Sequence, residues 1–521
     1  MNIKRAVTLS LGFVIAGNIP PILATNGMNL EGYGPVATGM GGTGMGYDHG
    51  SAAVMHNPAT LGLMPEGHRL DLAIGGLGPN GDSSSDIGSV DSTATAFYMP
   101  ALGWISKQGA LAYGFGVFAQ GGMGTDYAPG SAVDQSGPAG VNLVGVQNTD
   151  AAAQRSELGV GRFIFPLAFN VNPRLTLGGS IDYVWGGLDL LWTQDARNFL
   201  GALDGANLND GGTGKAAALG AMVAPANVRS IASGSLVDAF VQGFDTTGGV
   251  GAPNGAFSNF YWARFAFSNA SDFTQETLGT GVAGKLGFAY RFTDRLTLGG
   301  TYHNKTRLSD LEGDAVASFK VDTTTAAPVS AQTGLEVPVQ GTVKIVDFQW
   351  PQTLGLGIAY QATERWLLAA DWMRHNWSAV MPDLKLKFTA GANQTGMAQG
   401  FAGTTIDYVY FQKWEDQDSL RFGGAYRYSD ALTLRAGYNY AKNPIPDDYV
   451  NFLFPATVAQ HYTAGLGYAF TKQSSIDVSL TYVPEVRVTE SQTEANNIGT
   501  PAAQSFSHKQ LNWQFLYSYR Y

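Results

Sequence analysis

The most regular feature of the chain is an alternation with period two. Val282, Leu286, Phe288, Tyr290 and Phe292 share one face of an extended segment, and Lys285, Gly287, Ala289 and Arg291 share the other. After the turn Thr293-Asp294, Leu296, Leu298 and Tyr302 oppose Thr297, Gly299 and Thr301. The same strand–turn–strand unit returns at Phe422–Tyr438, with related units at Leu167–Tyr183, Leu356–Trp372 and Leu466–Tyr482. Short polar turns between alternating runs are the mark of β-hairpins. One face is apolar with aromatic residues near its ends, and the other is polar or tiny. A soluble sandwich would instead carry Lys and Glu on its outer face. Apolar-out, polar-in strands with Tyr at their borders suit a barrel in lipid. Closure is required, because an open edge in lipid leaves backbone groups unpaired.

The pattern predicts 14 antiparallel strands, starting near residues 69, 94, 110, 156, 174, 279, 295, 338, 365, 408, 431, 458, 474 and 508. Short turns near 107–109, 172–173, 293–294, 362–364, 429–430 and 472–473 alternate with long connections. The largest connection is 190–278. Short turns on one side and long loops on the other form the outer-membrane pattern, and an even count returns both ends to the periplasmic side. The last strand places Trp513, Phe515, Tyr517, Tyr519 and Tyr521 on one face. An aromatic terminal strand of this kind resembles the signal read by the barrel-assembly machinery of Gram-negative outer membranes.

Composition agrees. Only 14% of residues are charged, against about 25% in ordinary soluble proteins. There are 68 Gly among 521 residues, aromatics reach 12%, and the formal net charge is -10. Mean hydropathy is -0.04, too low for a bundle of membrane helices. The absence of Cys excludes disulfide scaffolds and thiolate metal sites. The acidic balance argues against a nucleic-acid partner.

Three regions follow. Residues 1–24 read as a secretory signal peptide: Lys4 and Arg5 precede the apolar run Ala6–Gly17, and Ala24 offers a cleavage site. Residues 25–68 lack alternation and are rich in Gly, as a compact plug inside a barrel requires. Residues 69–521 form the barrel. Gly39, Gly41 and Gly44 fit the spacing GxGxxG, but no strand–turn–helix context surrounds them, so a dinucleotide site is not assigned.

The segments Ala24-Thr25-Asn26-Gly27, Gly32-Tyr33-Gly34, Gly39-Met40-Gly41-Gly42-Thr43-Gly44 and Asn57-Pro58-Ala59 stand just after the signal. With Asp371-Trp372, Leu434–Tyr438, Asn443–Pro446 and His461–Phe470, they make the chain resemble the FadL/TodX family of outer-membrane transporters for long-chain fatty acids and aromatic hydrocarbons. The resemblance implies an all-β, 14-stranded barrel closed by an N-terminal hatch. It implies capture of a hydrophobic molecule among the outer loops, then release through a side opening where the third strand kinks. No cofactor, metal or covalent step is involved.

On that resemblance Asn57, Pro58 and Ala59 are the hatch residues, with Asn57 expected against the kinked strand. The kink is expected at Gly121 and Gly122, where the alternation of Leu111–Val117 fails. The loop 190–278 is very apolar. Phe240, Phe244, Phe260, Trp262 and Phe265 are candidates for a capture groove, or pack on one another as a lid. A carboxylate substrate would need a basic partner, and Lys385, Lys387, Arg197 and Lys305 are candidates. A neutral hydrocarbon would need none.

The lumen charges Asp182, Lys285, Arg291, Arg421, Arg427 and Arg435 read as a structural ion-pair ladder. The seven His are dispersed, and no nucleophile motif is present, so neither a metal nor a catalytic residue is assigned. The expected function is passive, diffusion-driven uptake of long-chain fatty acids or related lipophiles. Aromatic or aliphatic hydrocarbons are the alternative, and a general porin is a third reading. The expected partners are the hydrophobic molecule, outer-membrane lipid and lipopolysaccharide, and the assembly machinery, with the protein a monomer.

Overall fold

The computed structural model describes residues 27–85, 87–143, 145–203, 230–244, 257–269, 275–323, 334–489 and 504–521. The candidate leader at 1–24 and parts of the long loop 190–278 fall outside them.

Fourteen strands close into one antiparallel ring. They are β1 Gly67–Leu77, β2 Phe97–Gln108, β3 Leu111–Tyr127, β4 Gln154–Asn170, β5 Leu175–Asp195, β6 Gly279–Arg291 and β7 Leu296–His303. Then follow β8 Thr353–Gln361, β9 Trp366–His375, β10 Gln417–Arg427, β11 Leu432–Ala441, β12 Gln460–Ala469, β13 Ser474–Thr489 and β14 Ser505–Arg520. Each pairs with the next, and β14 returns to β1 through Leu72–Tyr517 and Ile74–Phe515.

The side chains predicted to face lipid do face outward. Leu177, Ile181, Tyr183, Leu286, Phe288 and Tyr302 are exposed, as are Trp513 and Phe515. The lumen-facing Asp182, Lys285, Asp371, Arg421 and Asn439 are buried. Arg162 and Lys285 both pair with Asp182, and Arg435 pairs with Asp477. Part of the expected ladder is therefore present.

Two strand assignments need correction. The segments expected near 338 and 408 lie in an outer part of the same sheet, beyond the ring, and the barrel strands begin at Thr353 and Gln417 instead. The outer end of β5 pairs with Phe257–Phe267, followed in order by Leu311–Thr323, Leu335–Val346, Asp383–Ala390, Thr405–Phe411 and Ser230–Ser233. Val337, Val339, Val343 and Ile345 face its core while Gln340 faces out. Half-buried sheets in water alternate as barrel strands do, so the period alone does not separate them.

Candidate functional site

The segment from Gly27 to Met64 has little regular structure: one helical turn at Pro35–Thr38 and 3₁₀ turns at Ser51–Met55 and Pro58–Leu63. Nearly every residue in it is buried. It packs on lumen faces around the ring, and its polar backbone groups find partners in the wall.

One wall holds the segment by a row of polar side chains. Register places Asp371 opposite Arg421, Arg421 opposite Asn439, and Asn439 opposite His461, on four consecutive strands from β9 to β12. Asp371 Oδ2 accepts from the amides of Gly44 (2.7 Å) and Met45 (3.2 Å). The Arg421 guanidinium donates to Gly42 O at 2.9 Å, and Asn439 Nδ2 donates to Glu31 O at 3.3 Å. Thr463 Oγ1 accepts from Gly41 N at 3.0 Å. Glycine makes the close approach possible. A side chain at Gly41 would strike Phe422 O and Tyr438 of the wall, and one at Gly437 would strike Gly41 in return.

Asn57 caps the Pro58–Leu63 turn by accepting from Ala59 N at 3.1 Å. Its Nδ2 donates to Met45 O and to Phe288 O, both at 2.8 Å. Phe288 belongs to β6, so Asn57 does not meet β3 as expected. Pro58 and Ala59 are buried, with Ala59 against Gly178 of β5. His49 Nε2 and His56 Nδ1 lie 3.1 Å apart, and His303 contacts His56 O at 2.8 Å. Burial holds both His49 and His56 below the usual histidine range, and His49 adds to the effect at His56.

The irregularity in β3 lies at Gln120. The pairing register of β3 with β4 slips between Ala119 and Gly121, as at a β-bulge. β2 and β3 pair only from Gln108–Leu111 to Leu102–Val117. Beyond that point they part, although β2 stays paired to β1 and β3 to β4. On the outer side the chain that precedes β2 meets β3 again, where Thr93 N donates to Asp126 O at 2.7 Å. Pro100, which has no N–H, stands in the unpaired stretch. The N-terminal segment takes up part of the freed backbone: Gly122 N donates to Met28 O at 3.1 Å, and Asn29 bridges Gly121. Gly121 has φ 156°, and a side chain there would strike Met28 O. The Gln120 side chain turns inward and donates to Asn29 Oδ1 (2.7 Å) and Tyr33 OH (2.9 Å). Trp350 Nε1 reaches the same Asn29 oxygen at 2.8 Å.

A cavity of about 320 Å³ lies at this parting, within the size range of small-molecule sites. Phe97, Met99, Val117, Phe118, Met123, Leu158, Val160 and Trp185 supply its apolar surface. Among its described lining residues there is no Lys or Arg; Glu31 and Glu157 supply carboxylates. A small apolar recess toward the outer side includes Leu188, Ile345, Phe348 and Trp414, and Met28 and Leu158 line both spaces.

The predicted capture groove is not open. Phe240, Phe244, Phe260, Trp262 and Phe265 are at most 5% exposed. Phe240 sits within 5.5 Å, centroid to centroid, of Phe199, Phe244, Phe260 and Phe319. These rings are the packed interior under the outer sheet, because aromatic area that large is buried wherever neighbouring loops supply matching surface. The proposed carboxylate partners also lie elsewhere. Arg197 pairs with Asp195 and Lys387 with Asp407, Lys385 and Lys305 are exposed, and none of the four lines either space. Sequence reasoning missed Gln120, Asn29 and Glu31. The glycines after Gln120 were the only local signal.

Comparison with known proteins decides the family. The model of the outer membrane protein transport protein family (OMPP1/FadL/TodX) matches residues 24–521. The chain belongs to this family. It is an outer-membrane β-barrel of the FadL type. The toluene transporter TodX of Pseudomonas putida is 28% identical, with TM-score 0.71, covering 95% of this chain and 99% of that one. The toluene transporter TbuX of Ralstonia pickettii is 27% identical, with TM-score 0.66, over 95% of this chain and 99% of that one. The long-chain fatty acid transport protein of Escherichia coli is 30% identical over 124 residues, 24% of this chain and 26% of that protein. The chain spans between 26% and 51% of the length of the curated relatives it matches.

Proposed function

We propose that this barrel is a channel for passive uptake of neutral hydrophobic molecules. The N-terminal segment acts as its hatch, and the parting of β2 and β3 is the side exit into the outer leaflet. The observation that carries this reading is the cavity at the parting: apolar on most sides and, among its described lining residues, without a cation. A fatty-acid carboxylate buried there would lack a partner, at a cost of several kcal/mol. The carboxyl groups of the lining, Glu31 and Glu157, offer it no positive partner either. That favours hydrocarbons over long-chain fatty acids, the reverse of the order the sequence suggested. The structural relatives TodX and TbuX, described as toluene transporters, support the same order.

The decisive experiment is uptake of labelled toluene and labelled oleate by cells lacking their own channels and displaying this barrel. Toluene uptake well above oleate uptake is expected. Deleting Gln120 would remove the bulge, let β3 pair with β2 further along, and cut toluene uptake at least about tenfold without blocking insertion. Oleate uptake equal to or above toluene uptake overturns the substrate assignment. Unchanged uptake after the deletion overturns the side exit.

A further inference from the structure

Arg291 is a lumen charge that the ion-pair ladder does not absorb. It ends β6 at the periplasmic rim, and its N donates to Arg174 O at 2.7 Å. The register that pairs Leu175 with Tyr290 therefore sets Arg174 opposite Arg291. Like charges facing one another across neighbouring strands are unfavourable. Deeper in the lumen the same conflict is settled by an acid: Asp182 of β5 pairs with both Arg162 of β4 and Lys285 of β6. At the rim, neither Arg174 nor Arg291 has an acidic partner among the described residues. Both line an open recess of about 320 Å³, with Asn170, Asn172 and Thr176. Its described lining holds no Asp or Glu. Glu66, which accepts from Gly109 N at the edge of the recess, is already paired with Lys107. Asn172 Oδ1 accepts from Arg174 N at 2.8 Å and Leu175 N at 2.9 Å, so its Nδ2 remains as a further donor. Thr176 Oγ1 donates to Asn170 Oδ1 at 2.7 Å, and Asn170 Nδ2 donates to Gly62 O of the N-terminal segment at 3.1 Å, which fixes this part of the lining.

We infer that this recess binds a phosphate group. The phosphate takes between Arg174 and Arg291 the place that Asp182 takes between Arg162 and Lys285. Guanidinium forks match phosphate oxygens in geometry and stay charged at any physiological pH. Inorganic phosphate and the headgroup of an inner-leaflet phospholipid both supply this chemistry. Phe169, Val171 and Phe292 stand exposed beside the same two turns, where the chains of such a lipid would lie. The recess shares no lining residue with the side cavity, so the inference does not depend on the transport route.

The test uses the purified full chain in a neutral detergent and two probes. Inorganic phosphate is followed by titration calorimetry, and dilauroylphosphatidylglycerol is counted by native mass spectrometry. The variants are Arg174→Gln combined with Arg291→Gln, and Arg365→Gln in another periplasmic turn as a control. Heat-modifiable gel mobility checks that each is folded. At least one probe is expected to bind the unaltered protein about tenfold more tightly than the double variant, with Arg365→Gln unchanged. Arginine-dependent binding of both probes identifies a site for the free anion, and of the lipid alone a headgroup site. Without phosphate the double variant should melt no lower than the unaltered protein, because it relieves a repulsion, and phosphate should raise the melting temperature of the unaltered protein alone. Equal binding of both probes by the unaltered protein and the folded double variant overturns the inference. So does an equal loss in Arg365→Gln, which would reduce the recess to the general charge of the rim.

Discussion

Two walls of the same barrel treat the N-terminal segment differently. The wall from β9 to β12 is fully paired and holds the segment through Asp371, Arg421, Asn439 and Thr463, with a carboxyl or guanidinium group at three of its bonds. Half the ring away, the wall at β2 and β3 is parted, and it holds the segment through neutral bonds from Gln120 and Gly122. Bonds to charged groups are worth roughly twice neutral ones. β1, beside the parting, has an acidic anchor of its own, since Asp71 accepts from Ser51 N at 2.8 Å. The weak hold is therefore confined to the stretch Met28–Tyr33 that meets Gln120 and Gly122, and that stretch is expected to move first. The cavity lies at that stretch. On the hatch reading proposed above, the wall from β9 to β12 would keep the lumen closed to polar solutes while the stretch at the parting would let the cavity change shape.

The sharpest way to break this comparison is to remove the strong wall. Asp371→Leu combined with Arg421→Leu strands the amides of Gly44 and Met45 and the carbonyl of Gly42 inside the barrel, at about 1–3 kcal/mol each. The segment should come free, and single-channel conductance in a planar bilayer should rise from near zero to that of an open pore. Conductance that stays near zero would show that the wall row does not hold the plug. A smaller effect is expected from Asn57→Ala, which removes two donated bonds and a cap, about 1–3 kcal/mol in all. Faster amide exchange around Met45 and Pro58–Leu63, in a correctly inserted barrel, is the expected readout.

Weakening the weak wall should do less still. Gln120→Ala removes neutral bonds to Asn29 and Tyr33, about 1–2 kcal/mol. It should loosen Gly27–Tyr33 to proteolysis without raising conductance. If it opened a pore, the two walls would be equivalent and the comparison would fail. The smallest effect is that of pH. His49 and His56 titrate lower in the folded protein than in an unfolded chain. Their contribution is therefore full above about pH 6.5 and declines as pH falls below it, because the released segment binds more protons. Proteolysis of Gly27–Met64 should quicken between about pH 6.5 and 5. A rate independent of pH would place both imidazoles outside the linkage.

Much of the architecture was legible in the residues. Hairpins such as Val282–Tyr302 carry their own turn and their own faces, so period and turn chemistry placed twelve of the fourteen barrel strands. The two misplaced strands fell in an outer sheet whose alternation has a different cause, a core on one side and water on the other. Of the two readings of the loop aromatics, groove or mutual packing, the structure shows the packing, and the sequence left the choice open for a related reason. An apolar loop sequence records that its surface is covered, but not whether a ligand or another loop covers it. Phe240 and Phe260 are covered by each other and by Phe319, a residue from a different loop.

The sequence by itself determined the barrel, its outward faces, its segregated N-terminal segment and the place where β3 loses its pattern. These are local properties, written in period two and in glycine content. Only the tertiary structure decided what the irregularity does. Gln120 and Asn29 carry no signal of their own, because each acts through a partner far along the chain. Gln120 lies 91 residues from Asn29, and Asn29 lies 321 residues from Trp350. Closing the ring brings such residues within hydrogen-bond reach, and hydrogen bonds depend on distance and angle, which residue order does not record.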